Sequence, residues 1–174
     1  ASSSATAIAG AAGGLAGGGA VGKSNINSTS KSYIEKDTTL TLNGGDLNIN
    51  SVSNASGSAT SDSTMAGAIA GGTSDATATV NNTSESYITN EVSKIQATGG
   101  NINILSTASE SNKTNGANSY SSADAGGLAS GDSASANSYH NATAKSYIGY
   151  VETATNTVNA GYTPGGIVYQ VIAG

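Results

Sequence analysis

The sequence contains no cysteine, tryptophan, phenylalanine or arginine, and it has only one proline, one methionine and one histidine among 174 residues. The absence of cysteine excludes disulfides and thiolate metal sites. The absence of arginine removes the planar donor that commonly binds phosphate, and the net charge of −5 argues further against nucleic acid as a partner. The single histidine, His140, cannot build a zinc site without further ligands.

Charged and aromatic residues are also scarce. Charged residues make up 10% of the chain, compared with roughly 25% in ordinary soluble domains, and eight tyrosines are the only aromatic residues. A chain of this kind buries little apolar surface, so one interpretation is that it stays disordered. The other is a repetitive backbone ladder, in which hydrogen bonds and small, closely packed residues replace a bulky core.

An uncharged run at residues 5–22 is about as long as a membrane span. The run is mostly alanine and glycine, which transfer weakly into lipid, and the corresponding later segments carry Asp75, Asp124 and Asp132. We therefore expect no membrane span. The sequence begins without methionine and without a charged leader, so we expect a mature chain or a part of a longer one.

An octet that ends in Ser-Tyr-Ile occurs three times, as NSTSKSYI, NNTSESYI and NATAKSYI, with its tyrosines at positions 33, 87 and 147. In every copy an asparagine lies six residues before the tyrosine and a threonine four residues before it, and glycines lie sixteen and twenty residues before it. These spacings indicate a degenerate repeat of 54–60 residues. The octet positions that mark this repeat are Asn27, Thr29, Tyr33, Ile34, Asn81, Thr83, Tyr87, Ile88, Asn141, Thr143, Tyr147 and Ile148.

A second block follows each octet and alternates between apolar and polar residues. It reads TLTLNGGDLNINS over residues 39–51, KIQATGGNINILS over 94–106 and, more loosely, NTVNAGYTPGGIVYQV over 156–171. Alternation at every second residue predicts short strands. The Gly-Gly pairs predict turns, because glycine adopts positive φ at little cost.

Two architectures suit short strands with glycine corners: a sandwich of β-hairpins and a parallel β-helix. We predict the second, an all-β fold with a parallel β-helix (β-solenoid) of about three coils per 54–60-residue repeat. A single domain would span residues 1–174, with repeats at about 5–60, 61–120 and 121–174. Asparagine and threonine of successive coils would form ladders of side-chain hydrogen bonds.

The blocks GGDLNINS and GGNINILS alternate with Ala/Gly-rich AGG segments and with SYI or SYIG steps. This pattern resembles the repeats of large secreted bacterial adhesins of the filamentous-haemagglutinin and leukotoxin-type filamentous families, and the similarity covers nearly the whole chain. The resemblance implies a right-handed parallel β-helix, export through an outer-membrane partner or an autotransporter route, and a role at the cell surface or in a filament.

The C-terminal segment 165–174 contains the most apolar run of the chain, after a Tyr-Thr-Pro-Gly turn signal. One interpretation is that the run forms the last strand of the core. The other is that it is an assembly strand, offered to an open edge of another subunit. The residues of this candidate assembly strand are Ile167, Val168, Tyr169, Val171 and Ile172.

The acidic residues are scattered and form no calcium loop, and no serine lies in a nucleophile motif with a histidine partner. Asp46 follows a Gly-Gly pair, but Asn101 replaces it in the next repeat, which suggests a turn residue and not a ligand. We expect no catalytic residue, no cofactor and no metal site, and hence no enzyme.

The function predicted from these observations is structural. We expect a subunit or segment of a secreted or cell-surface adhesin or an extracellular filament, whose partner is the chain itself and which acts through self-association and stacking of β-coils. One alternative is a surface module that binds a host glycan or protein. A further alternative is a disordered extracellular matrix protein.

Overall fold

The computed structural model describes residues 1–89, 94–110, 116–149 and 168–173, and every regular element within them is a β-strand. Serine, threonine, glycine and asparagine have low helix propensity, and side chains of alternating burial favour extended backbone. The predicted all-β class is confirmed. The strands are β1 (Ser2–Ile34), β2 (Thr39–Asn43), β3 (Leu47–Ile88), β4 (Lys94–Thr98), β5 (Asn101–Glu110), β6 (Ala117–Gly126), β7 (Ala129–Ile148) and β8 (Val168–Ala173).

The strands form two sheets. In the larger sheet the order is β1-β3-β5-β8, and β6 and β7 also pair with β3, while β2 and β4 form a separate pair. Three pairings have a described register, and all three are parallel. Parallel pairing disagrees with a sandwich of β-hairpins, since the two strands of a hairpin are antiparallel.

The predicted coil of roughly twenty residues is wrong. Thr39 lies opposite Lys94, 55 positions later, and Gly57 lies opposite Ala117, 60 positions later. One whole repeat, and not a third of one, therefore separates a strand from its partner. The physical reason is the identity between repeats, because this offset is the one that places Asn27 beside Asn81 and Tyr33 beside Tyr87.

The Gly-Gly corners are turns, as predicted. Gly44, Gly45 and Gly99 have φ values of 91°, 86° and 74°. These values lie in the left-handed region that favours glycine. The corners end β2 and β4 and let the chain enter β3 and β5.

The chain forms two compact units, and each unit is built from three separate segments of the sequence. Unit 1 comprises Ala1–Ser28, Asn54–Asn81 and Glu110–Asn141, and unit 2 comprises Thr29–Ser53, Asn82–Ser109 and Ala142–Gly174.

The interior of unit 1 is built from small side chains. Its buried clusters are Ala16, Met65 and Ala70; Ile26, Ala55 and Val80; and Ala59, Ala76 and Ala78. Buried serines complete this interior through hydrogen bonds. The Ser61 hydroxyl donates to the Ala20 carbonyl oxygen at 2.8 Å and lies 2.5 Å from the Ser74 hydroxyl. Backbone and hydroxyl groups therefore share the interior with alanine.

The interior of unit 2 combines an isoleucine cluster with a polar network. Ile49, Ile88, Ile102 and Ile104 form the cluster, and all four are at most 5% exposed. In the network, Ser84 donates to the Ser51 carbonyl and hydroxyl oxygens at 2.9 Å. The Asn82 amide donates to the Ser53 carbonyl at 2.7 Å and accepts from the Ser53 hydroxyl. These bonds satisfy polar groups whose burial would otherwise be costly.

Candidate functional site

The three octet tyrosines lie in one column of unit 2. The ring centroids of Tyr33 and Tyr87 are 5.0 Å apart, and those of Tyr87 and Tyr147 are 4.8 Å apart. The ring planes deviate from parallel by only 6° and 2°. These separations match the distance of about 4.8 Å between neighbouring strands of a sheet. The octets thus place equivalent residues directly over one another.

The octet asparagines form a corresponding column in unit 1. The Asn81 side-chain amide donates to Asn27 Oδ1, and the Asn141 amide donates to Asn81 Oδ1, both at 2.8 Å. Each added amide can accept one bond and donate the next, so such a column has no natural end.

The remaining octet positions vary in exposure. Ile88 is buried in the isoleucine cluster of unit 2, Ile34 packs against that cluster, and Ile148 is 38% exposed. Thr83 is partly buried, whereas Thr29 and Thr143 are exposed. Burial of the same octet position is therefore greatest in the middle repeat.

A second asparagine column follows the Gly-Gly corners of unit 2. The Asn103 amide donates to Asn48 Oδ1 at 2.8 Å. At the neighbouring position, the Asp46 carboxylate accepts from the Asn101 backbone N–H at 2.8 Å. Asp46 and Asn101 therefore act as a stacked turn pair.

A charged column lies beside the tyrosine column in unit 2. The Glu85 carboxylate is 2.8 Å from Lys31 Nζ and 3.6 Å from Lys145 Nζ. The hydrogen bond from Lys31 is the main cause that lowers the pKa of Glu85, and the same bond raises the pKa of Lys31. Our sequence reasoning missed this column, although the alternation of Lys, Glu and Lys two residues before each tyrosine was a visible signal.

The repeated glycines form two columns in unit 1, and only the column of Gly13, Gly67 and Gly127 requires glycine for steric reasons. A Cβ on Gly67 would collide with the carbonyl oxygen of Gly13, and a Cβ on Gly127 would collide with that of Gly67. At Gly71 the nearest atom would be the Gly131 carbonyl oxygen at 3.5 Å, which is an ordinary contact. The first column therefore requires glycine, and the second does not.

The candidate assembly strand lies mostly within β8. Val168, Tyr169, Val171 and Ile172 pair in parallel with β5, so that Tyr169 lies opposite Ile102 and Val171 lies opposite Ile104. Ile167 lies outside the described residues. The pairing agrees with a last strand of the same chain, and donation to another subunit stays a prediction.

The described residues include no group of three or more acidic or histidine side chains that could hold a metal ion. His140 is partly buried in β7. Searched over the same residues, the structure has no helix long and apolar enough to cross a membrane. No family model matches the sequence, and comparison with curated proteins and with solved structures gives no match either.

The tyrosine column leads to the first prediction. Tyr87 stacks on a ring at both faces, and an aromatic pair contributes about 0.5–1.5 kcal/mol beyond its buried area. We expect Tyr87→Leu to lower the free energy of unfolding by about 1–2 kcal/mol, measured by urea denaturation. The matched control is Tyr120→Leu, because Tyr120 is 63% exposed and its loss should cost less than about 0.5 kcal/mol. Equal midpoints for the two variants would contradict a stabilising role of the column.

Proposed function

We propose that the chain is a parallel β-helix, or β-solenoid, in which each repeat forms one coil. We further propose that it serves as a structural subunit or segment of a secreted or cell-surface filament or adhesin, and acts by stacking. The observation that carries the proposal is the parallel register of 55 and 60 residues, in which tyrosine lies over tyrosine and asparagine over asparagine. Such a register can be extended by further coils without a new kind of contact.

The sheet ends support stacking between molecules. Among the strands that the structure describes, β1 pairs only with β3, β6 and β7 pair only with β3, and β8 pairs only with β5. We call β1 the first-repeat edge, and β6, β7 and β8 the third-repeat edge. The open edge of a parallel sheet is a template for another strand. Because the two edges carry equivalent segments of one repeat, the first-repeat edge of one copy would continue the third-repeat edge of another.

The side chains of β7 add a second argument. In unit 1 the interior positions Ala20 and Ala76 are 4% and 0% exposed. The corresponding residues of the third repeat, Ala134 and Ala136, are exposed. These small residues suit the narrow space between strands, and a following coil would cover them. Head-to-tail contacts generate filaments when they do not close into a ring, and stacking of one coil on the next in a parallel register is open in this sense.

The test of the proposed function is the assembly of the purified chain, followed by electron microscopy and fibre diffraction at neutral and at acidic pH. We expect unbranched fibres with an axial reflection near about 4.8 Å. A chain that stays monomeric at both pH values and at high concentration would overturn the proposal, and a circular dichroism spectrum without strand structure would overturn the fold as well.

Two matched variants test whether the uncovered face of β7 carries the contact. Ala136→Lys places a charge where the equivalent Ala76 is fully buried, whereas Ser133→Lys places the same charge at a position whose equivalent, Thr73, is exposed. Both sites are exposed in the single chain, so neither variant should unfold it. We expect Ala136→Lys to abolish fibres and Ser133→Lys to retain them. Fibres from both variants would contradict stacking through this face.

A further inference from the structure

The column of equivalent residues that begins at Gly18 has glycine in the first two repeats and aspartate in the third. Gly18 and Gly72 both point toward the interior of unit 1, since a Cβ on either would meet the side chain of Met65. The third member of the column is Asp132, 60 positions after Gly72. Neighbouring contacts hold the same offset, because the Leu128 N–H bonds to the Ala68 carbonyl and Gly131 lies against Gly71. Asp132 therefore occupies an interior position, and it is exposed only because no coil covers it.

The residues that would surround Asp132 leave room for its side chain. In the register of β3 with β6, Ser63 and Met65 lie opposite Ala123 and Ala125. The second repeat combines Gly72 with serine and methionine, and the third repeat thus combines aspartate with two alanines. The smaller alanines compensate for the larger aspartate, so volume does not prevent a further coil from covering this site.

The charge of the Asp132 carboxylate, in contrast to its volume, does prevent a further coil from covering this site. Alanine side chains offer a carboxylate no hydrogen-bond donor, and burial of an unpaired charge is strongly unfavourable. The strands that pack beside this position are β3 and β6, and their nearest titratable side chains are Asp62, Asp75 and Asp124. These three lie at the alternate positions, between residues that are buried or face the interior, and all of them are acidic. None of them supplies a counter-charge to Asp132. In the β1 that would cover Asp132, the lysine closest in sequence to Gly18 is Lys23, which is exposed at an alternate position between two buried residues.

We propose that Asp132 makes head-to-tail stacking depend on acid, because a second copy can cover the third-repeat edge only when the Asp132 carboxyl is protonated. This inference rests on the proposed function. The partner is a second copy of this chain, and the covering segment is its β1, whose Gly18 is the first-repeat equivalent of Asp132 and would lie over it. Each added copy takes up one proton, and the carboxylic acid enters the interior as a neutral group.

The experiment measures the critical concentration for fibre formation of the full chain between neutral and acidic pH. With one proton taken up per copy, the critical concentration of the unchanged chain should fall by up to about tenfold per pH unit as the pH is lowered. We expect Asp132→Ala to assemble at neutral pH at a critical concentration about 10–100-fold below that of the unchanged chain, with a nearly flat pH profile. The matched control is Asp124→Ala, which removes the same charge from the alternate face of the neighbouring strand, and its profile should follow that of the unchanged chain.

The outcomes separate this inference from the proposed function. If the unchanged chain forms fibres equally at both pH values, stacking holds and the role of Asp132 is wrong. If Asp124→Ala and Asp132→Ala shift the profile equally, the effect is one of net charge and the role of Asp132 is again wrong. If no chain forms fibres at any pH, the proposed function fails and the inference fails with it.

Discussion

Replacement of Ile102 with alanine is expected to lower the free energy of unfolding by about 3 kcal/mol, since loss of a buried isoleucine or leucine side chain commonly costs 2–5 kcal/mol. Ile102 is fully buried and packs with Ile49, Ile88 and Ile104. The other fully buried residues of unit 2 are serine and asparagine, and the further apolar residues that pack against the cluster are only partly buried, so they would fill an apolar cavity incompletely. The measurement is urea denaturation followed by far-ultraviolet circular dichroism, at neutral pH and low concentration so that association does not add stability.

The control for this prediction is Leu105→Ala in the same strand. Leu105 is 37% exposed, and the hydrogen bond that it accepts from Ser86 comes through its backbone carbonyl, which alanine retains. We expect this variant to lose less than about 1 kcal/mol. Similar losses from the two variants would show that the isoleucine cluster is not the main apolar contribution to unit 2.

The second large effect is expected at Gly67. Alanine there would press its Cβ against the Gly13 carbonyl oxygen, and both groups belong to backbone that is held in the sheet. A shift of one strand would break neighbouring ladder bonds, so we expect a loss of about 2–3 kcal/mol, in the range of mutations that strain the backbone or overpack an interior.

Gly71→Ala is the matched control, four residues further along β3. Its Cβ would meet only the Gly131 carbonyl oxygen at 3.5 Å, and the glycine has no positive φ that alanine would strain. Alanine also restricts the unfolded chain, so this variant should be neutral or stabilising by up to about 1 kcal/mol. The measurement is thermal and urea unfolding of both variants, and we expect a clear loss of stability for Gly67→Ala and none for Gly71→Ala. If Gly67→Ala is as stable as Gly71→Ala, the strands do not approach each other as closely as described.

The sequence predicted the local structure of this chain well. Alternation at every second residue indicated strands, and the Gly-Gly pairs indicated turns with positive φ at Gly44 and Gly99. The repeat spacing also predicted which residues are equivalent, and the tyrosines at 33, 87 and 147 stack in one column. These features depend on neighbours in the chain or on identity between repeats, so they are visible in one sequence.

The pairing partners were not visible in this way. Alternation shows which face of a strand is buried, but it does not show how many residues pass before the chain meets itself again. We expected coils of roughly twenty residues, and the paired residues Gly57 and Ala117 are 60 positions apart. The distance in sequence between paired strands is set by the register that aligns glycine, asparagine and tyrosine in all strands at once, so it depends on contacts that exist only in the assembled sheet.

In the candidate site, too, some features could be predicted from the sequence and others could not. The repeated octets predicted the asparagine and tyrosine columns. The octets also contain the alternating Lys31, Glu85 and Lys145, from which the charged column could have been predicted. The position of Asp132 could not be inferred from its neighbours, because exposed polar residues surround it along the chain. Only the register that places it in line with Gly18 and Gly72 identifies it as an interior residue without a cover.

By itself, therefore, the sequence determined that this protein is built from strands, where its glycine turns fall and which residues are equivalent in its three repeats. The tertiary structure alone decided that a strand pairs with a partner one whole repeat away, that hydroxyl groups fill much of the interior, and that the third repeat leaves small residues and one carboxylate uncovered. The physical reason is that strand pairing and burial are properties of residues far apart in the chain, and their energies appear only when the repeats lie side by side.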